Sequence, residues 1–153
     1  MENITSATLT TWLTELGPIL DLAEVRQLEP DHWVLFFDEQ SAVHLEHLPD
    51  EGKAVLSAEL GRALPGAEAA TYQLLLQVNT LWRETGGLHM ALDAGDGELT
   101  QVYDIALVGL DRDALARRVR NFATAAHGWR EVIATQATSS DSSAAPPDLL
   151  TRV

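Results

Sequence analysis

Hydrophobic positions between residues 67 and 107 recur first at helical and then at strand spacing. Residues 68–84 predict a helix in which Leu74, Val78 and Leu81 share one side, at about 100° per residue. Gly86 and Gly87 break this pattern, and residues 88–107 then alternate as a β-hairpin around a turn at residues 94–97. The rest of the chain is organised around this helix and hairpin.

The predicted helix carries more apolar surface than one packing contact needs. Its uncharged arc covers roughly 220°, whereas about 100° is enough to dock a helix on one core. A sheet covers one face, so we expect a second copy of the same helix to cover the other across a two-fold axis. The alternative is a helix enclosed within one larger core. The residues assigned to the homodimer interface are Leu75, Leu76, Asn79 and Trp82.

Shorter apolar segments precede this helix. A first helix, capped by Thr5 or Ser6, carries one apolar stripe and is expected to stop at Gly17 because Pro18 disfavours helical angles there. Residues 25–28 are consistent with an extended segment. Three strands are then predicted at residues 32–38, 42–48 and 54–60, separated by turn signals.

A last helix of about six turns begins at Asp111. We expect it to pack on the hairpin, with Phe122 and Trp129 contacting Tyr103 and Ile105. Its apolar positions at helical spacing are Leu115, Val119, Phe122, Ala126, Trp129 and Ile133.

The predicted order is α-β-β-β-α-β-β-α, an α+β fold with a twisted antiparallel sheet packed with helices. From residue 136 the composition changes to Ser, Thr, Ala and Pro. We therefore expect one domain over residues 1–137 and a disordered tail over residues 138–153.

The strand at residues 33–37 is apolar on both sides, although a sheet covered on one face needs only every second residue inside. Trp33, Leu35 and Phe37 form the bulkier stripe and gain more from burial, so the other side is expected to be exposed or half-exposed. The alternative is that the first helix and residues 20–30 bury both sides. The exposed patch predicted here consists of Val34 and Phe36, extended by Leu48 and Val55.

Charge narrows the classes of partner. The chain of 153 residues has 23 acidic and 10 basic residues, a formal charge of −13. This balance argues against nucleic acid and anionic membranes, since both require a basic surface. It suits a protein that exposes apolar surface and must stay soluble. No basic secretory leader, no cysteine and no apolar run of about 18 residues is present, so a cytoplasmic location is the default.

No set of residues in the sequence positions a nucleophile and a base. His44 and His47 are three apart on a predicted strand and so point to opposite faces, which argues against a metal pair. No phosphate loop or nucleophile elbow is present, so we predict no catalysis, no metal and no cofactor. The remaining enzymatic alternative is a site assembled from scattered residues such as His44 and Glu46.

In its predicted order of helices and strands and in its motifs, the chain resembles the class I type III secretion chaperones of the Tir-chaperone (CesT-type) family. The resemblance covers residues 9–133. It is carried by the motifs LSAELG (56–61) with Pro65, LLLQVN (74–79) and GGLHMALD (86–93), and by residues 107–110 leading into a helix with Phe122 and Trp129. A YbjN-like protein-interaction module of related architecture is the alternative family.

The resemblance implies a function. Such chaperones are homodimers of the bacterial cytoplasm that bind the N-terminal segment of a secreted effector protein and hold it extended around the dimer. Val34, Phe36, Leu48 and Val55 are then the candidate effector-binding residues. The resemblance also implies delivery to the secretion apparatus and raises its ATPase as a further partner.

Overall fold

The computed structural model describes residues 4–136, which form one antiparallel sheet with helices packed against it. In chain order the described elements are α1 (Ser6–Ile19), β1 (Glu24–Glu29), β2 (His32–Phe36), β3 (Ala42–Leu48), β4 (Lys53–Gly61), α2 (Glu68–Asn79), α3 (Trp82–Thr85), β5 (His89–Leu92), β6 (Leu99–Ala106) and α4 (Arg112–Thr135), with a 3-10 turn at Pro49–Glu51. The strands lie in the order β1-β2-β3-β4-β6-β5. The α+β class with an antiparallel sheet is confirmed, and the predicted tail at residues 138–153 lies outside the described residues.

The sheet packs one of its faces against the hydrophobic core. Trp33, Leu45, Leu56 and Tyr103 form one row across four strands, and all four are buried. The strand residues of the core cluster all lie on this face, as the two-residue period of a strand requires. We call the opposite side the open face; its middle row consists of Arg26, Val34, His44, Ser57, Val102 and His89.

The buried face is covered by α1 and α4. Asp111 caps α4 by accepting a hydrogen bond from the Ala114 N–H at 2.7 Å, as predicted. The six apolar positions predicted for this helix are all buried. The backbone of α4 packs mainly on β4, and the buried Gln101 of β6 donates a hydrogen bond from Nε2 to the Phe122 carbonyl oxygen at 3.0 Å. Phe122 and Trp129 share one core with Tyr103 and Ile105.

The first helix continues past its predicted end. It reaches Ile19 because a proline near the last turn removes only one backbone hydrogen bond. Asp21 then adopts a left-handed conformation with φ 55°, and the Leu22 N–H donates to the Gly17 carbonyl oxygen at 2.9 Å. This pairing satisfies a carbonyl group that the end of a helix leaves free.

The segment before His32 forms a complete strand. β1 pairs with β2 from Glu24 to Glu29. The sequence predicted three strands before α2, whereas the structure has four, and the additional one is the edge strand β1. Its alternation is weak because five of its six side chains are exposed. An edge strand makes few packing contacts, which leaves little hydrophobic pattern to detect.

The predicted helix at residues 68–84 is wrong in its length, because it divides into α2 and α3. Thr80 ends α2 with its N–H and its hydroxyl both donating to the Gln77 carbonyl oxygen, at 3.1 and 2.7 Å. These bonds to the residue three positions back replace the helical hydrogen bond to the residue four positions back, and threonine side chains commonly form such local bonds to the backbone. Gly86 and Gly87 follow α3 with φ of 77° and 107°, which reverses the chain into β5.

We expect Trp129→Ala to lower the free energy of unfolding by about 3–5 kcal/mol, because the indole is fully buried and its loss leaves a cavity. Urea unfolding followed by circular dichroism measures this value. His127→Ala on the same helix is the control, since that side chain is exposed. A Trp129→Ala protein as stable as the wild type would contradict the docking of α4 described here.

Candidate protein-binding surfaces

An exposed apolar surface lies where α2, α3 and β5 meet. Leu76, Trp82 and Leu92 are 66%, 55% and 48% exposed, although each is a large hydrophobic residue. Arg83 stacks over the Trp82 ring with its guanidinium carbon 4.8 Å from the centroid. We call these three hydrophobic residues, together with the groove that Leu76 and Leu92 border, the α2 surface. Exposure of this much apolar area at one corner indicates an interaction site.

The groove of the α2 surface has a volume of about 230 Å³. It runs between α2 and the hairpin and has an almost entirely apolar lining, so water inside it has few hydrogen-bonding partners. The lining residues are Tyr72, Leu75, Leu76, Asn79, Met90, Ala91, Leu92 and Leu99.

The four residues assigned to a dimer interface have different environments. Leu76 and Trp82 are exposed and available for contact, whereas Leu75 is buried in the protein's own core. The Asn79 side chain is engaged within the chain: its Nδ2 donates to the Met90 carbonyl oxygen at 3.1 Å, and its Oδ1 accepts from the Met90 N–H at 2.8 Å. Asn79 therefore ties α2 to β5 and closes part of that sheet edge.

The four candidate effector-binding residues all lie on the open face, but they differ in exposure. Phe36, Leu48 and Val55 are half-buried. The expectation that Val34 is exposed is wrong, because it is only 4% exposed. Val34 has a cross-strand neighbour on each side, Arg26 of β1 and His44 of β3, and β1 belongs to the segment of residues 20–30 that the alternative expectation had covering this strand.

Charged and imidazole side chains flank this apolar strip. Arg26 lies over the Phe36 ring with its guanidinium carbon 5.2 Å from the centroid, and it also pairs with Glu24 at 2.9 Å. His32 Nε2 and His44 Nδ1 are 2.9 Å apart and hydrogen-bonded. Burial and the neighbouring His32 lower the pKa of His44, which favours the neutral ring.

The two edges of the sheet differ. On the β5 edge, the Asn79 side chain is hydrogen-bonded to both backbone groups of Met90. On the β1 edge, the side chains are exposed from Arg26 onward. The register of β1 shifts between Gln27 and Glu29, leaving Leu28 as a bulge that is 50% exposed. A bulge and charged residues are features that limit indiscriminate pairing at an open edge.

Ser6, Asp31 and His47 form a partly buried polar cluster that sequence reasoning missed, in which His47 alone is buried. The Ser6 hydroxyl bonds to Asp31 Oδ1 and lies 2.9 Å from His47 Nδ1, which is itself 3.3 Å from Asp31 Oδ1. A catalytic triad needs the carboxylate and the hydroxyl on opposite ring nitrogens, whereas here both meet Nδ1. The cluster instead ties the start of α1 to the turn between β1 and β2. Only the fold brings these three positions together, so no sequence spacing indicates them.

The enzymatic alternative also finds no supporting geometry. His44 bonds to His32, and no hydrogen bond joins it to Glu46 among the described contacts. Within residues 4–136, no group of three or more His, Asp or Glu side chains could hold a metal ion. In the same range, no helix combines the length and the apolar character that crossing a membrane requires.

Comparison with solved structures shows the same fold in several proteins. The complex of ExsC with ExsE matches with a TM-score of 0.69 and 21% identity, covering 84% of this chain and 95% of that one. The HopA1–SchA chaperone–effector complex matches at 0.64 and 17%, covering 86% and 99%. YbjN from E. coli matches at 0.63 and 19%, covering 86% and 93%. A comparison with curated protein sequences found no match to this chain.

The family model described as the Tir chaperone protein (CesT) family matches residues 11–130. This range begins within α1 and ends within α4, so it includes every strand of the sheet and both candidate surfaces. The chain therefore belongs to the Tir chaperone protein (CesT) family, a family of type III secretion chaperones.

Proposed function

We propose that this protein is a homodimeric secretion chaperone of the bacterial cytoplasm that binds the N-terminal region of one or more effector proteins. It keeps that region partly extended and soluble and delivers it to the secretion apparatus, whose ATPase is a further partner. The observation that carries the proposal is the presence of two separate apolar surfaces, the α2 surface and the open face, on a member of this family. The proposal involves no catalysis and no cofactor.

The α2 surface suits a second copy of the chain. It offers both protruding residues, Leu76 and Trp82, and an apolar groove able to receive them. A two-fold axis places the same patch on both partners, so a surface that combines knobs with a groove can complement itself. Association would remove the exposed hydrophobic area from water, which is the main favourable term in most protein–protein interfaces.

The open face suits an extended polypeptide. Phe36, Val55 and Leu48 offer half-buried apolar contacts on β2, β4 and the end of β3. Apolar side chains of an unfolded segment can fill the spaces between them, and the exposed β1 edge can pair with its backbone. Two of the proteins with the same fold were solved as complexes, ExsC with ExsE and SchA with HopA1, which supports this use of the fold.

A YbjN-like interaction module is the second candidate function. YbjN shares the fold at a TM-score of 0.63, close to the 0.64 of the HopA1–SchA complex, so the backbone alone does not separate the two. The proteins captured from native cytosol distinguish the two functions. A chaperone retains one or a few effector proteins in stoichiometric amounts, whereas an interaction module retains proteins that are not secreted effectors.

We expect Trp82→Glu to convert the dimer to monomer. The change would place a charge against its symmetry mate in an apolar interface, which costs several kcal/mol and raises the dissociation constant by more than about a hundredfold. Sedimentation velocity at micromolar concentration measures the association state. Val108→Glu is the matched control, because Val108 is 66% exposed and lies outside the α2 surface. A wild-type protein that sediments as a monomer would overturn the dimer.

We expect Phe36→Asp to abolish co-purification of cargo while leaving the fold and the dimer intact. Phe36 is half-buried on the open face, so a carboxylate there meets the bound segment and can still reach water. Affinity capture from native cytosol, with circular dichroism and sedimentation of the same variant, measures all three properties.

Leu64→Asp is the control for cargo binding, since Leu64 is exposed and lies in the loop between β4 and α2. A folded Phe36→Asp protein with normal cargo retention would reject the open face as the binding site. An unfolded one would show that Phe36 belongs to the core.

A further inference from the structure

Two histidines converge on the open face at the junction of β2 and β3. Val34 lies directly opposite His44 in the register, which makes His32 the diagonal neighbour of His44 on the same side of the sheet. Their ring centroids are 5.1 Å apart with 39° between the planes. His32 Nε2 and His44 Nδ1 face each other at 2.9 Å. The backbone register of a central strand pair therefore fixes this contact.

The distance between the two nitrogens is close to that of a chelating pair. Tetrahedral zinc with bonds of about 2.0–2.1 Å holds two imidazole nitrogens roughly 3.3 Å apart. From 2.9 Å the nitrogens must move apart by about 0.4 Å to reach that separation, and each ring must also turn so that its lone pair points at the ion instead of at the other ring. Both rings are only partly buried, so such a rotation has room on the solvent side.

The electrostatic surroundings also suit a cation. Glu46 lies directly opposite His32 in the register and is exposed, and Glu46 and Glu59 both act on the His44 ring as negative charges. A neutral imidazole is the form that binds metal.

We propose that His32 and His44 form a two-histidine site for a divalent transition-metal ion that prefers imidazole ligands, of which Zn²⁺ is the probe. The ion binds His32 Nε2 and His44 Nδ1, and water molecules fill the positions that face solvent. In the metal-free pair, one ring holds its proton on the nitrogen that faces the other ring. Metal binding requires this proton to move to the outer nitrogen of the same ring, so that both rings are then protonated on their outer nitrogens, Nδ1 of His32 and Nε2 of His44. Two neutral rings therefore release no net proton when the ion replaces their hydrogen bond.

Zinc titration by calorimetry on the full chain at neutral pH tests this site. We expect saturable binding of one ion per chain, weakened at least about tenfold by either His32→Asn or His44→Asn. His89→Asn is the matched control on the same face, because His89 is exposed and bonds only to the Gly87 carbonyl oxygen. His127→Asn controls for the exposed pair of His127 with Glu131 on α4.

Nitrogen NMR of the wild-type protein gives a second measurement that does not depend on a variant folding. Zinc is expected to shift the ring nitrogens of His32 and His44 together and to leave those of His89 and His127 unchanged. Absence of zinc binding, unchanged affinity in both His→Asn variants, or a response confined to the control histidines would overturn the site.

Discussion

Burial of one face of the sheet under α1 and α4 is the constraint on which the other features depend. The row of Trp33, Leu45, Leu56 and Tyr103 meets the apolar face of α4 in a single core. These helices are on one side, so each strand must divide its residues between a buried and an open face. The residues that remain on the open face are not needed for folding in the same way, and they are free to serve binding.

The corner around α2 follows from a second, smaller interaction. Asn79 bonds both backbone groups of Met90, and this fixes the end of α2 against the edge strand β5. Leu75 and Val78 then point into the core, while Leu76 is left facing outward. A helix held at the edge of a sheet cannot bury both of its apolar sides within its own chain. Its exposed apolar side is therefore a consequence of where it is attached.

The sequence predicted what depends on local periodicity. The six apolar positions predicted for α4 and the class of the fold follow from spacing, because a long amphipathic helix repeats its signal many times, whereas Ala116 and Ala125 are also buried and were not predicted. The candidate surfaces were predicted less well, because exposure depends on neighbours that are distant in sequence. Val34 is buried because β1 pairs beside it, and β1 itself has few buried residues to reveal it. Contacts such as Asn79 with Met90, or Ser6 with Asp31 and His47, depend on register, which one sequence does not display.

The charge of the chain connects these features. At −13 the protein repels other copies of itself over a distance set by salt, which limits random contact between exposed apolar surfaces. Short-range packing must exceed this repulsion, so only surfaces with good complementarity can associate. Charged groups also lie next to the apolar ones: Arg83 stacks on Trp82, and Arg26 covers Phe36 beside Glu24. A long side chain of this kind covers part of an aromatic ring and keeps its charged head in water. The same arrangement places charge beside the exposed hydrophobic residues of a small acidic protein, which opposes their indiscriminate association.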